Sequence, residues 1–378
     1  MIRSMRVGLE RVEGFAGRTV TPYRISSRRG PNWQSAAANT RLTSCVASGT
    51  TPIALGTSHG CAVRASRSLW CWGLNANGQV GDATTVNRPV PSQVGAATSW
   101  AQVGAGASHT CAIRTDGTLW CWGLNTNGQV GDATTTQRTS PTQVGAETTW
   151  AQVSAGTSHT CATRTDGTLW CWGNNASGRL GDATTTQRTS PTQIGTATTW
   201  AQVTAGGSHT CATRTDATMW CWGLNTNGQL GDATLTQRTS PTQAGNATTW
   251  AQVNAGTVHT CATRTDATLW CWGNNTNGRL GDGTTTRRSS PVQIGSPAIW
   301  AQVAAGTSST CAIQTDQSLW CWGSNSSGQL GRGSLYQSPV LAEPVVQGDG
   351  SGRLSGVLSV AACPGHTCVR RIDGGAWC

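Results

Sequence analysis

The chain has 378 residues, with 48 Gly, 13 Pro and only 11% charged residues, a composition that speaks against long helices and against general disorder. Nineteen Trp against one Phe imply a core built on tryptophan. All 26 basic residues are Arg and the net charge is +10; without lysine, Schiff-base chemistry and P-loop phosphate binding are excluded.

Residues 1–50 carry eight Arg against Glu10 and Glu13, which is +6 of the +10. Residues 1–40 read as a disordered basic tail outside the pattern, and residues 41–378 as the folded unit. The first thirty residues hold no apolar stretch of the kind a secretory signal needs, and no run of 18 apolar residues occurs anywhere. Sixteen cysteines at fixed spacing nevertheless point to an oxidising compartment, so an extracellular or cell-surface location is expected.

From Trp100 onward the sequence WAQVGAGASHTCAIRTDGTLWCWGLNTNGQVGDATTTQRTSPTQVG recurs every 50 residues, starting again at Trp150, Trp200, Trp250 and Trp300. A less faithful copy covers residues 51–95, and a partial one runs from Val360 to Cys378. Each copy predicts four short strands, as in Ala101 to Ala105, His109 to Arg114, Thr118 to Trp122, and Thr142 to Val144 after Pro141. Four strands in a 50-residue period predict an all-β fold, a β-propeller of four-stranded antiparallel blades.

The hairpin between the second and third strands is constrained by its cysteines. A two-residue loop would place Cys111 opposite Trp122, whereas a three-residue loop (Thr115, Asp116 and a left-handed Gly117) places it opposite Cys121. Directly opposed residues lie roughly 4.5 to 5.5 Å apart at Cα, within reach of a disulfide. The same ten-residue step joins Cys61 to Cys71, Cys161 to Cys171, Cys211 to Cys221, Cys261 to Cys271, Cys311 to Cys321 and Cys368 to Cys378. Seven pairs predict seven blades, the seventh incomplete. Ala217, Ala267 and Gln317 replace the hairpin glycine and must accept its left-handed backbone.

Trp120 and Trp122 share the strand face opposite the cystine and are expected to pack between blades. The histidines, His59 to His259 and His366, are expected to tie the strand start to a neighbouring backbone group; Ser309 stands in their place in the sixth copy. Zinc binding by His109, Cys111 and Cys121 is the weaker reading, because the hairpin register already accounts for both thiols. Asp132, with equivalents at Asp82, Asp182, Asp232 and Asp282, is one carboxylate per loop, too few for calcium, and is expected to face Arg138. Cys45 and Cys363 fall outside the seven pairs; a ring-closing bridge between them, free thiols and an external partner are the open readings. Residues 41–44 align with the fourth strand of other copies and could complete the seventh blade. Departures from the repeat at Arg332, Tyr336 and a seven-residue insertion around Val345 to Leu358 mark a candidate partner surface.

The stretch LWCWGLNTNGQVGD from Leu119, then Pro141 and AGTSHTCA from Ala155, resembles the repeat of the regulator of chromosome condensation family, across residues 51–378. The resemblance implies a seven-bladed propeller. It departs from the family in carrying cysteines where aliphatic and small residues are usual. Members of the family include nuclear guanine-nucleotide exchange factors, a secreted bacterial β-lactamase inhibitor and a plant light sensor, so fold does not fix function. No constellation of unlike groups converges on one reacting atom, and Ser108 and His109, adjacent on a strand, face opposite ways. The expected function is therefore a non-catalytic exported binding module for a protein or surface-glycan partner, monomeric, without cofactor, metal, specific nucleic acid or membrane span. Secreted enzyme inhibition and guanine-nucleotide exchange on a small GTPase are the alternatives.

Overall fold

Each 50-residue copy folds as one blade. In blade two the strands are Trp100–Ala105, His109–Arg114, Leu119–Gly123 and Arg138–Gln143, paired antiparallel in chain order from the axis outward. The computed structural model describes residues 53–295, 299–332, 339–347, 352–363 and 365–378. Within them lie seven sheets, six of four strands and a seventh of three (Val357–Ala362, Thr367–Arg371 and Ala376–Trp377), and no helix. The innermost strand of each blade contacts that of the next, and the first, Ile53–Leu55, contacts Val357–Ala362 of the last, so the ring is closed.

The hairpin register is the one the cysteine spacing selects. Cys111 pairs with Cys121 and Ile113 with Leu119, and the three-residue turn is closed by Gly117 N–H donating to the Arg114 carbonyl at 3.0 Å. Gly117 is left-handed (φ +76°), and the strained replacements adopt the same conformation: Ala217 at 59°, Ala267 at 62° and Gln317 at 65°. Arg67 at 58° is a fourth case in blade one, which the sequence reading passed over. All seven bridges are present with Cα atoms 4.1 Å apart. That is shorter than the expected span, because each cystine occupies a pair that exchanges no ladder hydrogen bonds, where strands lie closest.

The fourth strand differs from expectation. It begins at Arg138, four residues before Thr142, and ends at Gln143. The ladder runs Trp120 to Gln143, Cys121 to Thr142, then skips to Gly123 opposite Arg138. Pro141 sits inside that irregularity on the outer edge of the blade, where its missing N–H breaks no ladder bond.

Between blades, the cystine face of one meets the tryptophan face of the next. Cys111, Cys121, Leu119, Val130 and Val144 of blade two pack on Trp150, Val153, Ala162 and Trp172 of blade three, with half-buried Trp170 at the margin. The second tryptophan of WxW is the anchor: Trp122 is 0% exposed, and its indole packs 6.1 Å from that of Trp100. The first, Trp120, is half-buried and carries the Arg114 guanidinium over its face at 4.1 Å. Among the described residues the core at the junction between blades seven and one is smaller: Ile53, Ala62 and Cys368 are buried there, with Trp72 half-buried beside them.

Candidate binding face

Strand direction divides the loops between two ends of the ring. The hairpins (115–117) and the links between blades lie at one end. The inner loops (106–108) and the long loops (124–137) lie at the other, held together by Leu124 N–H donating to the Ser108 carbonyl at 2.8 Å. At this second end the inner loops surround an axial channel of about 90 Å³, lined among others by Gly56, Gly106, Thr157, Gly207, Thr307 and Cys363. The lining is small because it must be: a Cβ on Gly106 would stand 2.4 Å from the Gly156 carbonyl of the next blade.

Behind this lining the histidines link blade to blade. His109 Nε2 lies 2.9 Å from Thr160 Oγ1, and the Thr160 hydroxyl donates to the Gln129 carbonyl at 2.8 Å. With its own hydrogen committed, the threonine oxygen accepts, so the histidine carries its proton on Nε2. The link repeats from His59 to Thr110, His159 to Thr210, His209 to Thr260 and His259 to Thr310. The partner is a threonine side chain one blade on, not the backbone group expected from the sequence. The Gln129 carbonyl also accepts from Trp172 Nε1 at 3.0 Å, so one carbonyl receives both donors of the following blade. Burial pushes the histidines down, to about 4 for His59, where His366 adds repulsion, and to about 3 for His109 and His209; His159 and His259 fall well below the ordinary value. These are neutral structural imidazoles. The cysteines beside them are in bridges, and no cluster of metal-ligating side chains occurs among the described residues.

The long loop is organised by Asn125, a residue the sequence reading did not single out. Fully buried, it accepts from Val130 N–H at 2.9 Å and donates to Asp132 Oδ1, the Thr134 carbonyl and the Thr136 carbonyl at 3.0 to 3.1 Å. Asp132 faces Arg138, whose Nε donates to Oδ2 at 2.6 Å, while Oδ1 accepts from the Thr134 N–H and hydroxyl. Both carboxylate oxygens are thus occupied by protein donors. Burial raises the Asp132 pKa, but the Thr134 and Arg138 hydrogen bonds outweigh it and hold the carboxyl below its ordinary value. Asn125→Ala is expected to cost about 3 kcal/mol, because three or four backbone and side-chain groups lose their partner at once. The shift of the urea midpoint measures it, and Asn125→Asp should lose at least as much as Asn125→Ala, because its second carboxylate oxygen would face Asp132 Oδ1 and the Thr134 and Thr136 carbonyls, all acceptors, in a buried site.

Two further positions on this face break the repeat. Blades one, two, four and six carry Gln79, Gln129, Gln229 and Gln329; blades three and five carry Arg179 and Arg279. The exchange is coupled to Asn174 and Asn274, whose Nδ2 atoms donate to Asn127 and Asn227 of the preceding blade at 3.0 Å. Arg179 Nη1 donates to Ser158 Oγ and to the Gly207 carbonyl at 3.2 Å, and Arg279 Nη1 to the Thr307 carbonyl at 2.7 Å. The signal was in the sequence, as two substitutions at one position of an otherwise constant motif.

The departures that the sequence did flag fare differently. Arg332 is folded down: its side chain is 9% exposed, pairs with Glu343 and donates to the Cys321 carbonyl at 2.8 Å. Lacking the loop aspartate, blade six uses this arginine to brace its own outer strand. Tyr336, the basic tail, residues 41–44 and Cys45 lie outside the described residues. Cys363 is 4% exposed in the channel-lining loop of blade seven, with Sγ 3.0 Å from His366 Nδ1; burial pushes its thiol up to about 11.

These features define a seven-bladed β-propeller in which histidines, paired cysteines and loop aspartates are structural. The chain belongs to the RCC1-like domain family, whose profile matches residues 26–369. Solved structures share the fold. Human WBSCR16 is 21% identical with a TM-score of 0.75, covering 85% of this chain and 86% of that one. Prp20p from Saccharomyces cerevisiae, described with its binding to Gsp1p and histones, is 19% identical with a TM-score of 0.74 over 86% and 81%. The ectodomain of the Physcomitrella patens receptor kinase CR4 is 19% identical with a TM-score of 0.51 over 85% and 70%. The comparison with curated protein sequences returned no match.

Proposed function

We propose that this propeller is an exported, non-catalytic binding module that presents the loop face around its axial channel to a protein or surface-glycan partner. The observation that carries the reading is the placement of a cystine in the hairpin of every blade, which suits an oxidising compartment and a rigid platform. Five histidines link blade to blade and six cystines lie buried between blades, which leaves recognition to the loops. Tyr336, and a bridge between Cys45 and Cys363, belong to the same proposal, as a partner contact and as a clasp on the ring.

The test is a pull-down with the intact protein isolated without reductant, together with non-reducing peptide mapping. Seven bridges of ten-residue spacing and a partner whose capture is lost on altering loop-face residues are the expected results. Finding the fourteen hairpin cysteines as thiols in the isolated protein would remove the basis for export. Guanine-nucleotide exchange on a small GTPase, an activity found among members of the family that the repeat resembles, is the competing reading. Accelerated nucleotide release from a small GTPase would replace the binding-module reading, and a β-lactamase assay addresses secreted inhibition in the same way.

A further inference from the structure

Arg179 and Arg279 are 7% and 6% exposed, yet neither has a carboxylate partner among the described residues. The acidic side chains of this region are already committed: Asp182, Asp232 and Asp282 each pair with the arginine of their own loop at 2.7 to 2.8 Å. The hairpin aspartates, such as Asp166 and Asp266, lie at the opposite end of the ring. Burial lowers the pKa of both arginines with no opposing carboxylate, unlike Arg264, which Asp266 supports. A desolvated guanidinium without an anion is costly, and neutral carbonyls compensate it only in part.

The donors left over point to what is missing. Nε of both arginines is buried without a partner, and Nη2 of Arg279 makes no hydrogen bond within the described residues. Each Nη1 rests on a carbonyl, Gly207 or Thr307, that lines the axial channel, so the two head groups flank one mouth. Hydroxyls lie beside them: Thr257 Oγ1 and Thr307 Oγ1 are 2.9 Å apart, and Ser158 Oγ is 3.2 Å from Arg179. Arg287, exposed on the same loop face of blade five, adds a third positive charge where the other described full loops carry Asn or Gln.

We infer that the channel mouth over blades three to six is an anion site, built to receive a carboxylate from an acidic segment of a partner protein through Arg179 and Arg279. Guanidiniums with adjacent hydroxyls are the usual recognition chemistry for carboxylates, and two of them at separate points of one mouth suit a segment that carries several. The inference deepens the binding-module reading and rests on it.

The test uses the full chain, a hexaglutamate peptide and, as its neutral control, hexaglutamine. Arg179→Gln and Arg279→Gln are benign replacements, since glutamine occupies the same position in four blades of this molecule. Titration calorimetry should show hexaglutamate binding at low ionic strength, weakened about tenfold by each substitution and more by both, while the melting temperature is unchanged or raised. Equal binding by the double variant, equal binding of hexaglutamine, or no binding by the natural chain overturns the site. Binding of an oligouronate through the same arginines, with none of the peptide, would also overturn the assignment, in favour of glycan carboxylates. The pull-down described above does not depend on these outcomes, so the site and the binding module fail separately.

Discussion

With its seven bridges reduced, the propeller is expected to lose about 15–20 kcal/mol of stability and to stay unfolded in neutral buffer. Each bridge closes a loop of about ten residues and restricts the unfolded chain by about 2–3 kcal/mol. The sum exceeds the net stability of most domains. Access orders the events. Six cystines are buried between blades, whereas Cys378 of the seventh bridge is exposed, so a reductant in native buffer should open Cys368–Cys378 first and the others only through unfolding. Urea titrations with and without a phosphine reductant, followed by alkylation and mass mapping, measure both the midpoint and the order. An unchanged midpoint after complete reduction would show that packing alone sustains the ring.

Mild acid is expected to unfold the protein through the five inter-blade histidines. Their unfolded pKa is near 6.5, and in the ring it is about 4 for His59, about 3 for His109 and His209, and lower than ordinary for His159 and His259. Above pH 6.5 both states are neutral and the histidines contribute no pH dependence. Below it the unfolded chain takes up protons that the folded ring refuses, so stability falls by about 1.4 kcal/mol per pH unit for each residue. Five together amount to about 7 kcal/mol per unit, or on the order of 10 kcal/mol between pH 7 and pH 5. The loop aspartates, held below their ordinary pKa, add to the loss only as the pH approaches 4 and below. Urea midpoints at pH 7, 6 and 5 give the slope. His209→Ser, which copies Ser309 of blade six, should lower it by about one fifth, and a flat profile would mean that the imidazoles are hydrated in the folded state.

Much of this architecture was legible in the sequence, because strand alternation and cystine geometry are local constraints. Cys111 and Cys121 stand ten residues apart, and one turn alone brings them together. The fourth strand was misplaced because its pairing contains an irregularity around Pro141 that no periodicity announces. The histidine partner was missed for a related reason: an alignment of repeats superposes His109 on His159 and is silent on the side chain of the next blade that it meets, Thr160, 51 residues on. Asn125 and the Arg179 and Arg279 exchange were visible letters without visible neighbours. Only the ring shows that the first is fully buried and that the second brings charge to a place with none to oppose it.

The near-identity of the blades has a consequence for assembly. From blade two to blade six each tryptophan face fits any cystine face, so the interfaces do not by themselves number the blades. A growing stack would accept a skipped neighbour, or one from another chain, with almost the same contact. The junction between blades seven and one is the exception: among the described residues it joins a different and smaller set of side chains around half-buried Trp72. It acts as a terminator in an otherwise repetitive code, and it is there that the chain distinguishes a finished ring from an open spiral.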